Sequence, residues 1–314
     1  MYLLMTLAKI ACVIPVFNSA SMVREAIESV LLQNFTEIQV VVVNDGSTDR
    51  SLEVAREFEP SVKVLTGPNR GVSAARNRGI AESASDWIVF LDSDDVLLHG
   101  TLRMRLEAAE AARADVVFCD WQDVVDGPDG AIGGSVKSVD LIALELKAEV
   151  ACATHVWATT AALMYRRSLV EKIGGFREDL PILQDARLLF DAAYCGARFA
   201  HSPHVGARYR VNSHSLSRGD PRRFWRDVLT NGKQIEALWR ERGKLSLNQR
   251  EALAGIYNLA ARGLFAVEHP DYFEAVECQR KLGVQLPLHP RIAAPLAGAL
   301  GLRSARRMLA LIGH

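Results

Sequence analysis

From Lys9 to Cys119 the chain alternates short apolar runs with longer segments whose apolar positions recur every three or four residues. Lys9–Val16 (KIACVIPV), Glu37–Val43, Val62–Leu65, Trp87–Leu91 and Asp115–Cys119 have the length and β-branched content of buried strands. Between them, Ser21 opens a segment that places Met22, Val23, Ala26, Ile27, Val30 and Leu31 on one helical face. Further helices are predicted over Thr48–Phe58, after Gly71-Val72-Ser73, and over Thr101–Ala112. Strand, helix, strand at this spacing predicts a mostly parallel sheet with helices on both faces. Asp126–Gly134 (DGPDGAIGG) then reads as a loop, Ala161–Tyr165 as a strand and Ser168–Lys172 as a short helix stopped by Gly174-Gly175. Gln184–Tyr194 reads as a helix and Gly206–Val211 as a final strand. From Pro221 the pattern is helical only, over Phe224–Arg242, Leu247–Ala266, Pro270–Leu282 and Leu302–Ile312. The expected organisation is an α/β domain over residues 1–220, divided into halves at 120, and a helical region over 221–314.

Composition narrows the classes. A chain of 314 residues with 49% hydrophobic and 24% charged residues can build a large core and is not disordered. No apolar run reaches 18 residues, which argues against a spanning helix. The apolar first 17 residues invite a signal-peptide reading, but a basic leading segment is missing and Ile10–Val16 reads better as a strand. Five scattered cysteines without CxxC spacing suit neither a disulfide framework nor a zinc site, so a reducing compartment, the cytoplasm, is expected. The 37 Lys+Arg balance 37 Asp+Glu, which argues against nucleic acid as a partner. That balance conceals a net charge of −7 over residues 1–220 and +7 over 221–314.

In a parallel sheet ligands bind beyond the carboxyl ends of the strands. The first strand ends Pro15-Val16-Phe17-Asn18 without the glycines that a dinucleotide site or a Walker loop needs. The second ends at Asp45-Gly46, which serves either as turn chemistry or as an acceptor for a base or ribose. The fourth runs into Asp92-Ser93-Asp94-Asp95, three carboxylates where capping the next helix needs one. Such a cluster repels itself unless a cation or donors neutralise it, and a hard divalent ion sharing carboxylates with a diphosphate would do so. Arg76, in a small-residue stretch, is suited to engage phosphate or to hold an aspartate in place.

Four segments together carry a resemblance: Ile14–Asn18, Val43–Asp49 (VNDGSTD), Gly71–Asn77 (GVSAARN) and Leu91–Asp95 (LDSDD) resemble the consecutive signatures of the family 2 glycosyltransferases. The resemblance implies the GT-A fold, a Rossmann-like α/β sheet with flanking helices. It also implies inverting transfer from a nucleotide sugar, most often a UDP-sugar. Residues 1–120 become the donor half and 121–220 the acceptor half. By this analogy Pro15, Val16, Asn18 and Asp45 hold the nucleoside, Asp92 contacts ribose or sugar with Ser93 beside it, and Asp94 ligates Mg²⁺ or Mn²⁺ on the diphosphate. Gly174–Leu180 followed by Gln184-Asp185 is similar to the family's region around a Glu-Asp pair, which makes Asp185 the catalytic base. Here Gln184 replaces the glutamate, Asp185 is equally a candidate helix cap, and Asp179 stands in reserve. A cap position would favour the ionised carboxylate and weaken a base. Tyr209–Ser217 resembles the family's closing motif with the histidine displaced to His214, either a solvated loop residue or a group over the diphosphate and metal. Trp157 reads as core or as a wall of the acceptor site.

The implied partners are a nucleotide-sugar donor and a saccharide or lipid-linked saccharide acceptor, in polysaccharide or glycolipid assembly. The basic tail, with Arg222, Arg223, Arg226, Arg303, Arg306 and Arg307, is either ordinary helical surface or a patch for peripheral contact with the inner face of the membrane. A catalytically degenerate nucleotide-sugar-binding or scaffold protein, using the helical tail for partner binding, is the competing class, kept open by Gln184 and the displaced histidine.

Overall fold

The computed structural model describes residues 8–127, 130–211, 219–284 and 293–311. These fall into two compact units. The first takes the described residues up to Val211 except 153–155, and the second takes those three and the chain from Gly219 onward.

In the first unit β1 (Ala8–Val16), β2 (Ile38–Asp45), β3 (Lys63–Gly67) and β4 (Ser85–Phe90) form a parallel set with β1 between β2 and β4. Helices α1 (Val23–Leu31), α2 (Ser51–Arg56) and α3 (Val72–Ala81) make the crossovers. Ile10–Ile14 and Val40–Val43 are buried, as strands covered on both faces require. Pro15 is tolerated in this central strand because β1 pairs with β4 only as far as Val13 with Phe90, so its missing N–H breaks no ladder bond. Asp45 pairs with Gly67 at the end of the β2–β3 ladder.

After β5 (Val96–Leu97) and α4 (Thr101–Ala112), β6 (Val116–Gly127) continues the sheet in the direction of β4, separated from it by one antiparallel strand. That strand is β8 (Leu163–Arg166), reached after β7 (Gly130–Lys137) and α5 (Leu141–Thr154). Helices α6 (Arg167–Ile173) and α7 (Gln184–Tyr194) follow, and β9 (Phe199–Arg210) lies parallel to β6. The nine-stranded order is β3-β2-β1-β4-β8-β6-β9-β5, with β7 paired to β6. The expected mostly parallel α/β sheet is therefore present, with β8, β5 and β7 running against it.

One correction concerns Asp126–Gly134: its described residues, 126–127 and 130–134, are not loop but belong to β6 and β7, with Val125 opposite Ile132 and Gly127 opposite Gly130. Residues 132–137 are exposed throughout, so β7 lacks the apolar alternation by which a strand is recognised. A second concerns Ser21: α1 begins at Val23 and its cap position, Met22, makes no side-chain capping bond.

The second unit is built from helices over Pro221–Glu241, Leu247–Ala266, Tyr272–Lys281, Ala293–Leu300 and Leu302–Leu311. Gly263 lets the second of these approach the first: a Cβ there would lie 1.9 Å from the Trp225 ring.

Candidate active site

The loops beyond β1, β2 and β4 are tied together by short polar side chains. Asn18 adopts the left-handed conformation (φ 50°) that asparagine tolerates. Its N–H donates to Ser47 Oγ (3.1 Å) and its Oδ1 accepts from the Thr48 N–H (2.8 Å). The Ser19 N–H donates to Ser51 Oγ at 2.8 Å, and Ser93 Oγ donates to Ser19 Oγ at 2.8 Å. Asn18 and Ser93 thus join the ends of β1, β2 and β4 into one platform.

Of its two alternatives, Asp45 displays the local one, a place at a turn of the chain. Gly46 turns the chain at φ 75°, where a Cβ would meet the Asn69 nitrogen at 2.6 Å. The buried Asp45 carboxylate accepts from the N–H groups of Arg70 and Gly71, each at 2.8 Å. It thereby anchors the approach to α3 and forms one wall of a cavity of about 440 Å³ that Asn44, Pro68, Arg70, Arg78 and Glu178 also line. Glu178 reaches this cavity from the chain after α6, accepting from Asn77 Nδ2 (3.3 Å) and Arg70 Nη2 (3.4 Å).

The acidic cluster divides its labour. None of its members caps α4, whose cap position is Gly100 with no side-chain bond. Asp92 pairs with Arg76 Nη2 and accepts from Thr160 Oγ1 at 3.3 Å. Asp95 is buried and accepts from the Arg210 N–H (2.8 Å) and Thr159 Oγ1 (3.2 Å). Its burial, with Asp94 and Asp92 adding like charge, pushes its pKa well above that of an ordinary aspartate. Asp95 is consequently a strap between the cluster, β9 and the 159–160 turn. Asp94 is half-buried, and its carbonyl oxygen accepts from Arg210 Nε at 3.0 Å.

Arg76 lies beneath these groups with 2% of its surface exposed. Its guanidinium is 5.0 Å from the Phe176 ring centroid, and Nε and Nη1 have no hydrogen-bond partner among the described residues. Of the two roles foreseen for it, the structure displays the holding of an aspartate.

Asp185 is the second residue of α7, whose cap position is Leu183, so it is not the N-cap. It is half-buried and accepts from the Ala186 N–H at 2.7 Å. Burial raises its pKa; the Arg76 charge and the Ala186 bond oppose this, Asp92 adds to it, and a contact from the Trp157 indole N–H opposes it again. The expected weakening by the helix terminus is outweighed. Gln184 is buried, and its Oε1 has no hydrogen-bond partner among the described residues. The reserve candidate Asp179 is held by Arg177 at 3.0 and 3.2 Å on the surface.

The structure thus gathers Asp92, Arg76 and Asp185 into one electrostatic neighbourhood, with Asp94 and Asp95 adjoining Asp92. His214 lies outside the described residues. Sequence reasoning missed Thr159 and Thr160, which carry no motif of their own; Glu178 and Arg210 were visible only as members of the Gly174–Leu180 segment and of the closing motif.

The family's sequence model, described as glycosyl transferase family 2, matches residues 11–174, a segment that contains Asp45, Arg76, Asp92 and Asp94. The chain belongs to glycosyl transferase family 2. Among its relatives in the family is the succinoglycan biosynthesis protein ExoO of Rhizobium meliloti, 35% identical over 66% of this chain and 62% of that protein. The uncharacterized glycosyltransferase EpsJ of Bacillus subtilis is 27% identical over the same shares. The chain therefore spans less than two thirds of these relatives' length. Among solved structures, Staphylococcus aureus TarS 1–349 in complex with UDP-GlcNAc aligns with a TM-score of 0.59 at 17% identity, over 87% of this chain and 89% of that one. The mannosyltransferase PcManGT from Pyrobaculum calidifontis, in complex with GDP-Man and Mn²⁺, aligns at 0.58 and 20% identity, over 98% and 85%. At these identities the likeness is one of fold, and the fold is GT-A.

Proposed function

We propose that this family 2 chain transfers a sugar from a nucleoside-diphosphate sugar, UDP-linked, to an acceptor hydroxyl with inversion at the anomeric carbon. The observation that carries the proposal is the Asp185 carboxylate, half-buried and raised in pKa beside the Arg76–Asp92 pair at the strand ends. A base must be ionised at working pH yet basic enough to take a hydroxyl proton, and burial opposed by a nearby guanidinium supplies that compromise. In a single displacement the acceptor oxygen attacks the anomeric carbon as its proton passes to Asp185, and the bond to the departing diphosphate breaks. Asp45, Asn18 and the Pro15-Val16 strand end would seat the nucleoside, and Asp92, fixed by Arg76 and Thr160, would receive ribose or sugar hydroxyls.

A divalent cation fits the donor set. Among the described residues no three His, Cys, Asp or Glu side chains are grouped to hold a metal alone. Mg²⁺ and Mn²⁺ in diphosphate sites take one or two carboxylates and complete their shell from phosphate and water, which suits half-buried Asp94 with Asp92 near it. When bound, the ion would neutralise charge on the leaving diphosphate. The Mn²⁺ complex of the P. calidifontis mannosyltransferase and the succinoglycan role named for the R. meliloti relative support the metal and a place in polysaccharide or glycolipid assembly. A lipid-linked acceptor, with the 221–314 region in peripheral contact with the membrane, belongs to the same reading.

The test is thermal shift with UDP, GDP, TDP and CDP, each with and without Mn²⁺. One nucleotide, UDP, should stabilise the protein in a Mn²⁺-dependent way, and donor hydrolysis then identifies the sugar. Asp94→Ala should abolish the Mn²⁺-dependent part, while Asp185→Asn should leave it intact. A protein that binds a nucleotide but turns over no donor, or that responds to no nucleotide, would instead be the degenerate binding or scaffold protein.

A further inference from the structure

Trp157 is exposed over 38% of its surface, although the residues on either side, Val156 and Ala158, are buried. The short segment that carries it is pinned at both ends. The Val156 N–H donates to the Ala151 carbonyl at 2.9 Å, and Thr159 and Thr160 donate to Asp95 and Asp92. The indole itself is clamped edge-to-face by two rings, Trp121 (centroids 5.8 Å apart, 82°) and Tyr209 (5.9 Å, 76°). An aromatic ring left accessible and yet held in one orientation is a pre-organised surface, because a ligand need not order it on binding. Its N–H is among the groups that oppose the upward shift of the Asp185 pKa.

We propose that Trp157 is the platform for a sugar ring of the acceptor, holding that ring with a hydroxyl toward Asp185. The assignment rests on Asp185 as the base and goes beyond it by naming the residue on which a saccharide acceptor docks. A pyranose ring has an apolar C–H face, which suits the electron-rich face of an indole, and a rim of hydroxyls, which suits carboxylate acceptors. An acyl chain seated here would strip water from Asp185 and Asp92 and give nothing in return, a costly exchange for carboxylates. The donor half has its own cavity at Asp45, on the far side of β1 from β8 and β6 in strand order.

The experiment uses saturation-transfer NMR on the full chain, with and without UDP and Mn²⁺. The probes are methyl β-D-glucopyranoside, methyl β-D-galactopyranoside and methyl N-acetyl-β-D-glucosaminide. At least one probe should receive saturation on its ring C–H protons. Trp157→Leu should weaken that binding roughly tenfold, as loss of a buried aromatic anchor does. Trp157→Phe should keep most of it, and both variants should bind UDP as the parent does, which also verifies their folding. Asp185→Asn should retain saturation transfer while losing turnover, so failure of the base assignment is distinguishable from failure of the platform. Absence of any glycoside signal, an undiminished signal in Trp157→Leu, or a loss of UDP affinity in Trp157→Phe would each overturn the proposal.

Discussion

A carboxylate that must accept a proton works best when its pKa lies closer to the working pH than an exposed aspartate's, about 3.9. Asp185 has that displacement, and its sign sets a testable pH profile. Because burial raises the pKa, kcat/KM should fall on acidification at a higher pH than an ordinary carboxylate would give. Arg76 opposes the shift, so Arg76→Met should move this acid limb further up, whereas Arg76→Lys should move it less. A limb unmoved in Arg76→Met would detach Arg76 from the base. Asp185→Asn should lower kcat by roughly 10²–10⁴-fold. At this scale the sequence carried the identity of Asp45, Asp92, Asp94 and Asp185 through their motifs, but not their environments. The field at Asp185 is made by Arg76 on α3 and Asp92 beyond β4, residues far from it in the chain, and that proximity exists only in the folded sheet. For the same reason Asp95 gave no sign of being a strap: its partners Thr159 and Arg210 lie 64 and 115 residues away.

At the scale of elements, α3 lies close enough to β1 that Gly79 is required. A Cβ there would meet Val13 Cγ1 at 2.3 Å, and Val13 is itself fully buried. Gly79→Ala should therefore destabilise the protein by about 1–3 kcal/mol through overpacking. The contrast is Gly255, on the helix Leu247–Ala266, where a Cβ would meet nothing within 4 Å. Gly255→Ala should stabilise by about 0.4–1 kcal/mol through the unfolded chain. Thermal unfolding of the two variants side by side checks both, and equal melting temperatures would count against the close α3–β1 packing. Elements with strong burial were legible: α4, α7 and the Leu247–Ala266 helix have the predicted limits. The β6–β7 pairing was not, because Gly, Pro and Asp dominate the local composition and residues 132–137 are exposed on both faces. Nor could periodicity reveal that β8 would enter between β4 and β6, since strand order is decided by pairing between distant segments.

For the whole molecule, the question left by the divided charge is what the basic helices do. The last helix, Leu302–Leu311, looks in isolation like an interfacial one, with Arg303, Arg306 and Arg307 beside apolar positions. In the folded unit its apolar side is already occupied: Ala305 and Leu309 are buried, and Arg303 and Arg306 both reach Glu268 (3.0 and 3.3 Å). Glu268 responds with a lowered pKa, first through its hydrogen bond with Arg303. Insertion of this face into a bilayer would require unpacking the unit, so the proposed membrane contact must be one of surface charge. Its signature follows from screening. Co-sedimentation with vesicles containing anionic phospholipid should be measurable at low ionic strength. It should vanish with purely zwitterionic vesicles, and should be lost near 1 M salt, where the Debye length falls to about 3 Å. Replacing Arg303, Arg306 and Arg307 together by Gln should reduce it, whereas Met308→Ser, at a half-exposed apolar position, should not. Binding that survives high salt but fails in Met308→Ser would mean instead that the helix leaves its packed position to insert.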